Sequence, residues 1–420
     1  MKVRKVYILN PLLKNKVFLI VASADLLQQV GIWIRNMALL FYIMDQTNND
    51  PTAVSMLTAL EYLPIFIFSL IGGTFADRWN PKKTVILGDT LSALSILVIF
   101  FLISSGLWQA VFAATVVSAI VSQFSQPSSA ILFKKHVPLE QVGMAVGITQ
   151  SLMAVFTILG PIVGTFVYTQ LGLQSSLITL FFIFLTAALL QLFLPSSSDE
   201  KPATNQSALV DLKAGLHYVI HHSNLRLIAG MFLLAGLSIG ITQPLDVFVT
   251  IERLGLPKES VQWFAASEGI GMLVGGLLAA AGSKWVDRNQ NRIITATLIL
   301  WSIVTLIEVL SIWPLLTAGV RVISGVATAF FQVIFSAVMI KEVQEDYIGR
   351  TNGVMVPLMI GGVLTGTICS GFVAEHLSLF GAYGLSALLT LSCTILTAQL
   401  RFQSTSKNKR GDSIQKETLL

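Results

Sequence analysis

Ionisable side chains stand in this sequence where the surrounding residues are too apolar to leave them alone: Asp25, Glu61, Asp246 and Glu268 among the acids, Arg35 and Arg321 among the bases. Inside a membrane an acid at mid-helix costs roughly 2.5–3.5 kcal/mol on insertion scales, so such groups face a cavity or an opposite charge. A carboxyl in apolar surroundings can load and release protons at physiological pH. Asp25 and Glu61 are the first candidates for that role and Glu268 the next. Asp246 and Arg321 suit a buried structural pair as well as a part in transport. Glu308 and Glu375 fall near span ends, where solvation is expected.

Helical spacing groups further polar residues with them. Asp25, Gln29 and Asn36 fall within about 40° of one another on a helix, with Gln28 and Arg35 beside them, and Trp33 is an aromatic neighbour. Arg321, Thr328 and Gln332 align similarly, Ser118, Ser122, Gln126 and Ser129 form another set, and Ser238, Thr242 and Asp246 another. Stripes of this kind line a hydrated pocket for a small-molecule substrate. An enzyme would need a nucleophile with its base, or a metal cluster. The five histidines, His136, His217, His221, His222 and His376, all fall in loops or at helix ends, so no catalytic residue, metal site or cofactor is expected. No Gly-x-x-x-x-Gly-Lys-Ser/Thr loop is present, which argues against ATP as the energy source.

The elements that position these residues must cross lipid. Of 420 residues, 54% are hydrophobic and 12% charged, with mean hydropathy +0.75. Apolar runs longer than 18 residues recur from Val17 to Phe402, each able to span ~30 Å of hydrocarbon as a helix. They lack the alternation of barrel strands. The expected spans are 17–43, 52–76, 84–104, 107–133, 141–170, 174–195, 224–250, 259–283, 290–311, 314–340, 347–375 and 378–402. With the N-terminus in the cytoplasm, all of the 27 Lys and Arg residues except Arg35, Arg253, Lys258 and Arg321 fall on the cytoplasmic side. That is the positive-inside bias; the net charge of +5 therefore reports topology, not nucleic-acid binding. Both termini are expected in the cytoplasm, with no cleaved signal peptide. Cys369 and Cys393 read as small buried packing residues.

Residues 196–223 break the pattern. The stretch SSSDEKPATNQS is a solvated linker, and LVDLKAGLHYVIHH after it is an amphipathic helix for the membrane interface. The expected domains are a six-helix bundle over 1–195, this linker, a second bundle over 224–403 and a tail over 404–420. An internal repeat at an offset of 206 residues supports the division. Gly143/Gly349, Gly147/Gly353, Leu152/Leu358, Gly160/Gly366 and Phe166/Phe372 match without gaps between the fifth and eleventh spans. Two homologous halves place a substrate site between them.

Between the second and third spans the chain reads GGTFADRWNPKKTVILGD. This resembles the signature of the major facilitator superfamily, Gly-x-Leu-Ala-Asp-Arg-x-Gly-Arg-Lys, at Gly73, Ala76, Asp77, Arg78 and Lys82, while Asn80 and Pro81 depart from it. The resemblance implies a cytoplasmic gate built from Gly73, Asp77, Arg78 and Lys82, joined by Asp89. Gly160, Pro161 and Gly164 are similar to the core of the superfamily's antiporter motif, implying a hinge; a packing kink is the alternative. DLKAGLHYVIHHSNLR is similar to the same stretch in drug:proton antiporters that include macrolide-efflux and siderophore-export proteins. The arginine common early in their fourth helix is absent here.

The resemblance implies an all-α membrane protein, twelve transmembrane helices in two pseudo-symmetric six-helix bundles, with helices 1, 4, 7 and 10 lining the cavity. It also implies a monomer in the plasma membrane exporting amphipathic drugs by proton antiport, a multidrug-efflux role tied to antibiotic resistance. Substrate would meet Gln29, Trp33, Arg35, Asn36, Gln126, Asp246, Arg321 and Gln332. Export of a specific metabolite or siderophore, or uptake by proton symport, are the alternatives.

Overall fold

The computed structural model describes residue 12 and residues 14–76, 80–195, 208–344 and 347–400. Among them, nine helices are long and apolar enough to cross a membrane. Two of the nine, Leu139–Leu192 and Ile348–Gln399, each contain one residue with non-helical dihedrals, Gly172 (φ 69°, ψ 178°) and Ser378 (φ 62°, ψ 173°). The chain reverses at both points. Gly160, twelve residues before Gly172, lies against Trp33, and Phe184, twelve after it, lies against Gly31. In the second half Gly366 lies against Leu237 and Gly240, and Thr390 bonds Ser238 at 2.7 Å. Each long helix is thus two spans. Ala110–His136, whose apolar part is shorter, completes the twelve.

The two reversals are 206 residues apart (378 − 172), the same offset as the sequence repeat. The fold is therefore all-helical, with two related six-helix halves. Side chains such as Phe101, Phe166, Phe372, Leu388 and Ile395 stand exposed on the outside, a surface suited to lipid and not to water. Cys393 is buried as expected, but Cys369 is exposed on this flank, because its neighbours Gly366 and Ser370 take the inward face.

Within each half, close backbone approach does the packing. Gly236 and Gly240 of Ser223–Thr242 meet Gly362 and Gly366, where a Cβ on Gly240 would lie 2.1 Å from the Val363 carbonyl oxygen. Small residues permit this contact when no hydrophobic force drives helices together in lipid. The amphipathic helix occupies Ala208–His221, and a Cβ on its Gly215 would meet the Arg350 carbonyl.

Candidate functional site

A cavity of about 470 Å³ lies between the halves, lined by Trp33, Asn36, Glu61, Tyr62, Asp246, Glu268, Glu308 and Arg321 among others. Each half contributes one buried arginine. Arg35, on Lys16–Gln46, gives Nε and Nη2 to Asn36 Oδ1 at 3.0 and 2.7 Å and pairs through Nη2 with Glu61 Oε1 at 3.1 Å. Its Nη1 donates to Ser118. That set joins the first, second and fourth spans and balances one positive against one negative charge.

The second half is arranged differently. Arg321, on Pro314–Glu342, lies 2.5 Å from Asp246, 2.9 Å from Glu268 and 2.5 Å from Glu308, three carboxylates from three spans. Tyr383, buried in the twelfth span, donates to Asp246 Oδ1 at 2.9 Å. Asp246 and Arg321 do pair. Glu308, expected in solvent, is only 5% exposed. Arg321 holds it inside the bundle, while at the same span end Arg253, closing the π-helical turn Val249–Arg253, donates Nε to the Val309 carbonyl at 2.8 Å.

Several expected cavity residues lie elsewhere. Asp25, Gln29 and Arg35 are absent from the lining: Asp25 sits eleven residues from Asn36, about 16 Å along the helix axis, and Arg35 turns into the bundle toward Ser118. Gln28, beside Asp25, donates to both oxygens of the buried Asp89 at 2.9 Å, tying the first span to the third. Gln332 is equally far from Arg321 and is exposed. The side chain of Gln126 lies outside the described residues, as do Asp77, Arg78 and any side-chain setting for Gly73. Of the gate motif, Lys82 donates to the Leu194 carbonyl at 2.5 Å. Asn80 and Pro81, the departures from the motif, start the third span: Asn80 caps it by accepting from Lys83 N at 3.3 Å, and Pro81 takes the first turn.

Gly160 and Gly164 are explained by Trp33. A Cβ on Gly160 would lie 2.3 Å from the indole ring, and one on Gly164 2.4 Å from the Trp33 carbonyl oxygen. The helix runs through Pro161 without leaving helical dihedrals. Between the halves, Lys258 contacts Asp45 and donates to the Phe41 carbonyl at 3.2 Å, and Tyr62 donates to Gln243 at 3.1 Å. Thr52 packs against Gly371 at the same end of the bundle. Sequence patterning missed Tyr62, Tyr383 and Lys258; for Tyr62 the signal was its place next to Glu61 in an apolar span. Among the described residues, no group of three or more His, Cys, Asp or Glu could hold a metal ion.

Comparison with known proteins agrees with this architecture. The family model of the Major Facilitator Superfamily matches residues 21–307 and 252–419. An uncharacterized MFS-type transporter of Bacillus subtilis, YkuC, is 24% identical over 83% of each chain. Macrolide efflux protein A of Streptococcus pyogenes is 21% identical over 86% of this chain and 90% of its own. The nucleoside transporter NupG superposes with a TM-score of 0.72 at 16% identity, covering 92% of this chain and all of that one. A bacterial homologue of the iron transporter ferroportin, in an inward-facing state, gives 0.73 at 13%, covering 91% and 98%. A duplicated twelve-helix bundle, a cavity between its halves and a family match over nearly the whole length lead to one conclusion: the chain belongs to the Major Facilitator Superfamily.

Proposed function

We propose that this chain exports amphipathic organic compounds, drug-like molecules among them, in exchange for protons by alternating access. The observation that supports this reading is the cavity, where apolar and aromatic walls surround Glu268, a carboxyl the sequence marks for proton coupling. The Lys258–Asp45 and Thr52–Gly371 contacts join the halves at one end. The basic loops, taken as cytoplasmic, lie at the other, so substrate would enter from the cytoplasm. Macrolide efflux protein A, whose name states its activity, supports a macrolide-like substrate class.

The test is flux into proteoliposomes of the purified chain, with macrolides and other amphipathic compounds, with and without an imposed pH gradient. Accumulation that follows the gradient and collapses with a protonophore is expected. Flux that ignores the gradient, or none across the panel, would overturn the reading.

A further inference from the structure

The buried arginines of the two halves are not equivalent in charge. Arg35 faces one carboxylate, Glu61, and its remaining donors go to neutral oxygens of Asn36 and Ser118. Arg321 faces three, so two carboxylates of that cluster have no matching cation. Unpaired anions out of water are costly enough that the group takes up a proton or a counter-charge instead. The surplus therefore belongs to the second half of the molecule.

Its three members are compensated to different degrees. Asp246 has both the Arg321 guanidinium and the hydroxyl of Tyr383, which donates at 2.9 Å. Glu268 accepts a hydrogen bond from Arg321 Nη1 at 2.9 Å, and its side chain is about a third exposed, toward the cavity it lines. Glu308 shares the Arg321 guanidinium with Asp246 but has neither the tyrosine donor of Asp246 nor the exposure of Glu268. The buried Oε1 of Glu308 lies 2.5 Å from Arg321 Nη2 with no second donor among the described residues, and its side chain is 7% exposed. Asp246 approaches the same nitrogen at 2.5 Å, so the two carboxyl oxygens are at most about twice that distance apart. Two carboxylates around one guanidinium leave a negative charge that a proton on one of them would neutralise.

We propose that Glu308, on the ninth span, is the proton-carrying residue of this transporter, held beside Arg321 by competition with Asp246 and Glu268. In this step a proton from cavity water forms the O–H bond of a neutral Glu308 carboxyl, and the cluster's unmatched charge falls from two to one. Release of that proton to water on the opposite side restores it. The assignment rests on the proton-coupled reading above for its purpose; its measurement needs no substrate.

Infrared difference spectroscopy of the full chain in lipid vesicles, stepped through neutral pH, reads the C=O stretch of a protonated carboxyl directly. The wild-type protein is expected to show a buried carboxyl band that titrates. Glu308→Gln should abolish it, and Glu308→Asp, which keeps the acid on a shorter arm, should move it. Glu61→Gln, which alters the balanced pair in the other half, should leave it. A band that survives unchanged in both Glu308 variants, or that disappears in Glu61→Gln, overturns the assignment. Absence of transport in the proteoliposome panel, with the band assigned as stated, would instead sink the export reading alone.

Discussion

Ser378 occupies a backbone conformation that suits glycine, and relieving it should stabilise the protein. Its φ of 62° and ψ of 173° nearly match Gly172 (69°, 178°), its counterpart 206 residues earlier. A non-glycine residue in that region costs of order 1–3 kcal/mol. Replacing it by glycine also frees the unfolded chain, at a cost of roughly 0.5–1 kcal/mol. Relief is the larger effect, so Ser378→Gly should gain about 1 kcal/mol. The side chain is exposed, and no hydrogen bond of its hydroxyl is among those described, so no competing contact is lost. The reverse change isolates the same quantity: a Cβ on Gly172 meets nothing within 4 Å, so Gly172→Ser should lose about 1 kcal/mol for conformation alone. Denaturant unfolding in mixed micelles, followed by tryptophan fluorescence, measures both. A less stable Ser378→Gly, or a Gly172→Ser as stable as wild type, would refute the claim that these two residues turn the helical hairpins under the same backbone constraint.

Other outcomes follow from the same contacts. Gly164→Ala puts a methyl group against the Trp33 carbonyl and should cost about 1–3 kcal/mol, whereas Gly143→Ala, with open space around it, should cost nothing in the same unfolding assay. Lys258→Gln removes a half-exposed ion pair worth about 0.2–1 kcal/mol. Spin-label distances between Asp50 and His376 should then report up to a roughly fivefold larger separated population, and an unchanged distribution would mean that Lys258 does not hold the halves together. Cys369 should react with a membrane-soluble maleimide while Cys393 stays protected until the protein unfolds, as mass spectrometry of the labelled chain would show.

The sequence carried the fold because lipid imposes a simple demand: long apolar runs must be helices, and a repeat of matched glycines must come from matched packing. Gly160 and Gly366 lie at helix crossings in their respective halves. The pairing of Asp246 with Arg321 was legible for a related reason, since both stand where only a partner or water could keep them. Depth was harder to read. Periodicity gives the angle of a residue around a helix, so Asp25 and Asn36 seemed to share a site although about 16 Å of helix separates them. Hydropathy likewise places Glu308 at a wet span end, because nothing local encodes its pairing with Arg321 on the next span. Asn80 and Pro81, which depart from the gate motif, serve as the start of a helix.

Duplication of the helices did not duplicate their charges, and that difference bears on how the halves can move. The position 206 residues after Thr115 is Arg321, and the one after Ser118 is Ser324. One half thus centres its charge on the first span through Arg35, the other on the tenth. All partners of Arg321 come from its own half, and glycine crossings such as Gly240 on Val363 lock that half internally. Among the described residues, polar bridges between the halves include Lys258 with Asp45 and the Phe41 carbonyl at one end, and Tyr62 with Gln243 at the cavity. A half-exposed ion pair contributes about 0.2–1 kcal/mol, while breaking a buried cluster costs about 3–5 kcal/mol. On polar contacts alone, separating the halves is therefore less costly than breaking the charge cluster inside the second one.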